Sequence, residues 1–114
     1  MELLTIDGVT INLSNLLYTE VVLSRETVNG ETSSCTNVLA YLDSRDGIKV
    51  IKLVSIPYKQ IVASELMCKI MTLVEDGDGT VVIDKEELDD LIEDAVEDVS
   101  DRVNIKKECL MYSR

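Results

Sequence analysis

Residues 48–74 read IKVIKLVSIPYKQIVASELMCKIMTLV, and the apolar period changes within them at Pro57. Before the proline, Ile48, Val50, Ile51, Leu53 and Val54 are partly alternating and partly continuous, the pattern of a strand covered on both faces. After it, Val62, Ala63, Leu66, Met67, Ile70, Met71, Leu73 and Val74 take up about half of an ideal helical wheel. Ser64, Glu65, Lys69 and Thr72 lie opposite. Proline suits the first turn of a helix, where its missing N–H is no loss. The stretch therefore predicts a strand over 48–55 and a core helix over Lys59–Val74 lying across a sheet.

Upstream, the period stays near two. Leu3 to Ile6 is a short apolar run, Asp7-Gly8 is a two-residue hairpin signal, and Val9 to Leu13 alternates. Ser14-Asn15 interrupts before a third strand over Leu16–Ser24. Thr27 to Ser34 is polar, contains Asn29-Gly30 and reads as a flexible loop. Cys35–Leu42 and Ile48–Ser55 then pair around the turn residues 43–47. The expected fold is α+β in one domain over 1–114. An N-terminal antiparallel meander of four to five strands (1–56) is packed by one core helix (57–75), followed by an acidic amphipathic helix (84–102). Residues 103–114, mildly basic and alternating at Val103 and Ile105, are expected to add an edge strand or to form a tail.

Downstream, the glycine-rich run 75–79 ends the core helix, and Thr80–Ile83 reads as a short strand or an extended lead-in. Asp84 followed by Glu87 has the spacing of a capping box. In the helix that follows, Leu88, Leu91, Ile92, Ala95, Val96 and Val99 form an apolar stripe about 140° wide. The remaining arc carries Glu86, Glu87, Asp89, Asp90, Glu93, Asp94, Glu97, Asp98 and Asp101, with no base among them. Residues 76–103 contain twelve acids and two bases, which places −10 of the chain's net −11 in this one region.

Such an arc costs stability. Like charges four apart, as at Asp90–Asp94 and Asp94–Asp98, each cost a few tenths of a kcal/mol. Acids at the C-terminal end also oppose the helix dipole. The arc is therefore read as a surface for a basic protein partner, carried by Asp90, Glu93, Asp94, Glu97 and Asp98. Asp84 and Glu87 have a sufficient local role as caps. Carboxylates on one helix face stand about 5–6 Å apart, comparable with phosphates along a strand, so the arc is also a candidate nucleic-acid mimic. Direct nucleic-acid binding is disfavoured, because so acidic a chain repels the backbone.

Composition removes other options. With no histidine among 114 residues, His-built zinc sites, Ser-His-Asp catalysis and Cys-His nucleophiles are excluded. The expectation is a protein that is not an enzyme. Phe and Trp are absent too, so the core must rest on Val, Ile, Leu and Met. Cys35, Cys68 and Cys109 are odd in number and far apart, and read as reduced, buried thiols of a cytoplasmic protein. No run approaches the roughly 18 apolar residues of a membrane span, so no membrane partner is expected. Small, histidine-free chains with concentrated charge are also the style of phage and mobile-element accessory proteins.

Residues 76–87, DGDGTVVIDKEE, resemble an EF-hand loop between two helices. The resemblance implies Ca2+ held by Asp76, Asp78, Thr80, Asp84 and a bidentate Glu87, with Val82 offering its carbonyl. It departs at the sixth position, where Val81 stands in place of the glycine of the sharp turn. Apart from this Ca2+, no cofactor is expected. The favoured function is a protein-binding or inhibitory module. A structural homo-oligomer, with copies paired through a sheet edge or the C-terminal segment, is the alternative, and a calcium-binding domain the second alternative.

Overall fold

The computed structural model describes residues 2–112, so Met1, Ser113 and Arg114 at the ends of the expected domain and tail lie outside it. In chain order the elements are β1 (Leu3–Ile6), β2 (Val9–Asn12), β3 (Leu16–Val28), β4 (Glu31–Ser44), β5 (Gly47–Ile56), α1 (Gln60–Asp76), β6 (Thr80–Ile83) and α2 (Lys85–Val103). Short 3-10 turns occupy Leu13–Asn15 and Lys107–Leu110. The fold is α+β, with both helices in the predicted places.

The expected meander of four to five strands is instead two three-stranded sheets, ordered β2-β1-β6 and β3-β4-β5. The division follows from the turn at Leu13–Asn15. The Asn12 side chain accepts a hydrogen bond from the Ser14 N–H, and the Leu13 N–H donates to the Glu2 carbonyl. These contacts stop β2 from running on into β3. The free edge of β1 is then taken by β6, which pairs with it in parallel from Leu3↔Thr80 to Ile6↔Ile83. The lead-in to α2 is thus a strand of the first sheet.

Asn29-Gly30 is the tip of a hairpin, not the centre of a flexible loop. Both residues have positive φ (54° and 81°), as the tight right-twisting turn requires, and pairing continues to Val28↔Glu31. Asp7-Gly8 (45° and 83°) joins β1 to β2 in the same way.

In β4, Thr36, Val38, Ala40 and Leu42 are buried, and the residues between them face away from the core. A bulge lies opposite Val38 and Leu39, which pair with Val54 and Lys52 and leave Leu53 as the extra residue. Both Leu53 and Val54 consequently turn inward. That accounts for the continuous apolar run in β5 without burial of both faces. Ile48 and Val50 are 64% and 51% exposed.

One hydrophobic cluster joins both sheets and both helices. It includes Leu4, Ile6, Ile11 and Ile83 from the first sheet and Val38, Ala40, Leu53 and Ile56 from the second. Val62, Ala63, Leu66, Met67 and Ile70 come from α1, and Leu88, Ala95, Val96 and Val99 from α2. One expectation fails around this core. Cys68 and Cys109 are exposed and Cys35 is half-buried, although all three are free of disulfides. Cys68 falls on the outer side of α1, between the buried pair Leu66–Met67 and buried Ile70.

Of the two forms expected for the C-terminal segment, an edge strand is not the one its described residues take. After Lys107–Leu110 it makes a single bridge, Tyr58↔Met111. The Lys59 N–H donates to the Leu110 carbonyl (2.8 Å), and the Tyr112 N–H donates to the Pro57 carbonyl (3.1 Å). No helix among the described residues is long and apolar enough to cross a membrane.

Candidate functional site

The acidic arc is built by α2. Asp84 caps it, its Oδ1 accepting the Glu87 N–H at 2.8 Å, as the capping spacing predicts. The helix stops at Asn104, which takes the left-handed conformation (φ 55°) and returns its N–H to the Ser100 carbonyl. Between these ends Leu88, Ala95, Val96 and Val99 are buried, which turns the opposite arc to solvent. Asp90, Glu93, Asp94, Glu97 and Asp98 are all exposed.

The five are not equivalent. Lys69 of α1 reaches across and pairs with Asp98, and Arg102 returns from α2 to Glu65 of α1 at 3.1 Å. These are the two ion pairs found among the described residues. Asp98 therefore has a partner inside the chain and serves the packing of α1 on α2. With about 100° per residue, Asp90, Asp94 and Glu97 point away from the core, while Glu93 leans to the flank opposite Asp98.

The hydrogen bond to Asp98, reinforced by the charges of Asp98, Glu65 and Asp94, raises the Lys69 pKa from its ordinary 10.5. A raised pKa means that the folded chain holds this proton more tightly than the unfolded chain. The stabilisation is thus complete below pH 10.5 and is lost as pH rises through the folded value. Comparison of the wild type with Lys69→Met by urea unfolding is expected to show a difference that is constant from neutral pH to about 9. It should then narrow above 10.5.

Beside Glu93 lies a cleft of about 560 Å³. Its apolar lining is Pro57, Tyr58, Ile92, Val96 and Met111, and Asp89, Glu93, Lys107 and Glu108 complete it. Asp89, on the acidic arc but not among its five expected binding residues, lines the cleft as well. Its place next to the stripe residue Leu88, three before Ile92, marks it as a flank position. The cleft itself depends on the turn at Lys107–Leu110 folding back beside α2, which no local pattern announces.

The residues of the calcium reading are spread out along the chain. Asp76 ends α1, Asp78 lies in the turn, Thr80 opens β6, Asp84 is the N-cap and Glu87 is in the first turn of α2. Among the described residues no three His, Cys, Asp or Glu side chains are grouped so as to hold a metal ion.

Compared with protein-family models, with curated proteins and with solved structures, the chain matches none of them.

Proposed function

We propose that this chain is a non-catalytic binding module that presents the outer arc of α2 to a basic protein. The observation that carries the reading is the state of Asp90, Glu93, Asp94 and Glu97: four exposed carboxylates, none in an ion pair among the described residues. A merely solvated helix face commonly intersperses both signs, which loses less stability to repulsion between neighbours. The cleft supplies what a purely charged surface lacks. Charge steers encounter and register, whereas buried apolar anchors supply most of the affinity. A basic segment carrying one large apolar side chain suits both features, the side chain in the cleft and the cations along Asp89, Glu93 and the arc.

The test is capture from a lysate of the source cell on the immobilised wild type and on a variant carrying Asp90→Asn, Glu93→Gln, Asp94→Asn and Glu97→Gln. A basic protein is expected on the wild type at low salt, and the variant is expected to retain it at least about tenfold less well. Exposed acids are shielded beyond about 8–10 Å at physiological salt, so raising the salt should release the same protein. Capture that persists in the variant and in high salt would reject the acidic arc as the docking surface.

A further inference from the structure

The β3-β4-β5 sheet has a second face, away from the core. Tyr18 and Tyr41 stack there, ring centroids 4.3 Å apart and planes inclined by 12°. Leu39 lies one residue pair along β4 on the same side, and Val50 and Ile48 lie on β5. Tyr18 and Val50 are each 51% exposed and Ile48 64%. Leu39 and Tyr41, though half-buried, do not pack on the core cluster. A solvated sheet face normally alternates to polar residues. Here Tyr18, Leu39, Tyr41, Ile48 and Val50 form an apolar patch among the outward polar residues Glu20, Asn37, Asp43, Lys52 and Ser55, and neither helix covers it.

The registers place two charges symmetrically about the centre of this face. Leu39 pairs with Glu20 on one side and Lys52 on the other, and Tyr41 pairs with Tyr18 and Val50 in the same order. Each row therefore runs acid–apolar–base or aromatic–aromatic–aliphatic across the three strands. Glu20 and Lys52 are two strand spacings apart, about 9.6 Å, and neither forms an ion pair among the described residues.

We infer that this face joins two copies of the chain about a two-fold axis parallel to β4. Rotation about that axis exchanges the β3 and β5 sides. Glu20 of one copy then lies over Lys52 of the other, twice, and Tyr18 lies over Val50. A two-fold axis across the strands through the Glu20–Leu39–Lys52 row would instead set Glu20 on Glu20 and Lys52 on Lys52, so at that row charge selects the first arrangement. Stacked sheets cross at about −30°, which inclines the axis by about 15° to β4 and shifts side chains this near it by only about 2.5 Å, and the pairs survive it. Three strands spaced about 4.8 Å apart and about eight residues long give a footprint of about 400 Å² per copy before side-chain relief. That is the size of a weak, reversible dimer rather than an obligate one.

Sedimentation over a wide concentration range at physiological salt tests the pairing. The wild type is expected to pass from monomer to dimer in the micromolar range, and Glu20→Lys or Lys52→Glu alone should weaken the dimer about tenfold or more by setting like charges together. The double variant E20K/K52E restores opposite charges and is expected to recover dimerisation to within about threefold of the wild type. Both sites are on the surface, so the single variants keep their fold, which far-UV circular dichroism checks. A wild type that stays monomeric to about 0.5 mM, well above the range of a specific weak dimer, would overturn the proposal. Single reversals that leave association unchanged, or a double variant that does not recover it, would do the same.

Discussion

Leu66→Ala is expected to lower the free energy of unfolding by about 3 kcal/mol, the middle of the range for a buried leucine replaced without full collapse of the site. Leu66 has no exposed surface and belongs to the cluster shared by both sheets and both helices. A domain of this length has a total stability of roughly 6–17 kcal/mol, so the loss is a large fraction. Because the core is continuous, the loss should be felt everywhere. Thermal unfolding is expected to remain one transition, its midpoint lowered by roughly 10–15 °C. Amide exchange should report the same loss in β1 and in β4. If the β2-β1-β6 sheet kept its protection while the β3-β4-β5 sheet lost it, the two sheets would be separate folding units.

Thr36→Val is expected to cost about 2 kcal/mol with almost no change in shape, because valine keeps the branched outline and removes only the hydroxyl. Thr36 is the one buried polar residue among the described positions. Its Oγ1 donates to the Tyr58 carbonyl at 2.6 Å and is 2.9 Å from the Tyr112 hydroxyl, which donates to it in turn. Valine leaves both groups without that partner beside a fully buried position, and an unmade buried hydrogen bond costs more than a formed one contributes. The variant should also loosen the C-terminal segment specifically. Exchange at the Lys59 and Tyr112 amides, which bond to Leu110 and Pro57, is expected to accelerate more than exchange in α2. Tyr112→Phe removes one of the two bonds, so its cost should be clearly smaller. Equal exchange effects in α2 would show that Thr36 acts on the core as a whole and does not act as a clasp for the chain end.

The acidic arc and its cap were legible because each depends only on neighbours along one helix. Spacings of three and four decide which side of α2 meets the core, and Asp84 can reach the Glu87 N–H whatever the rest of the fold does. The same holds for α1, whose buried set of Val62, Ala63, Leu66, Met67 and Ile70 lies on the predicted stripe. Asp98 shows where that logic stops. It is indistinguishable from Asp94 along the helix, and only the approach of α1 gives it Lys69 as a partner.

By itself, then, the sequence determined the strand-rich first half, the two helices, their apolar faces and the concentration of charge on α2, all properties set by local periodicity. The tertiary structure alone decided that the strands divide into two sheets, that β6 joins β1 in parallel across more than seventy residues, and that the chain end closes a cleft beside α2. It also decided that the outer face of β3-β4-β5 is left bare. Pairing partners, bulges and coverage depend on which distant segments compete for the same edge or face. A four-residue strand such as Thr80–Ile83 carries too little pattern of its own to name its partner.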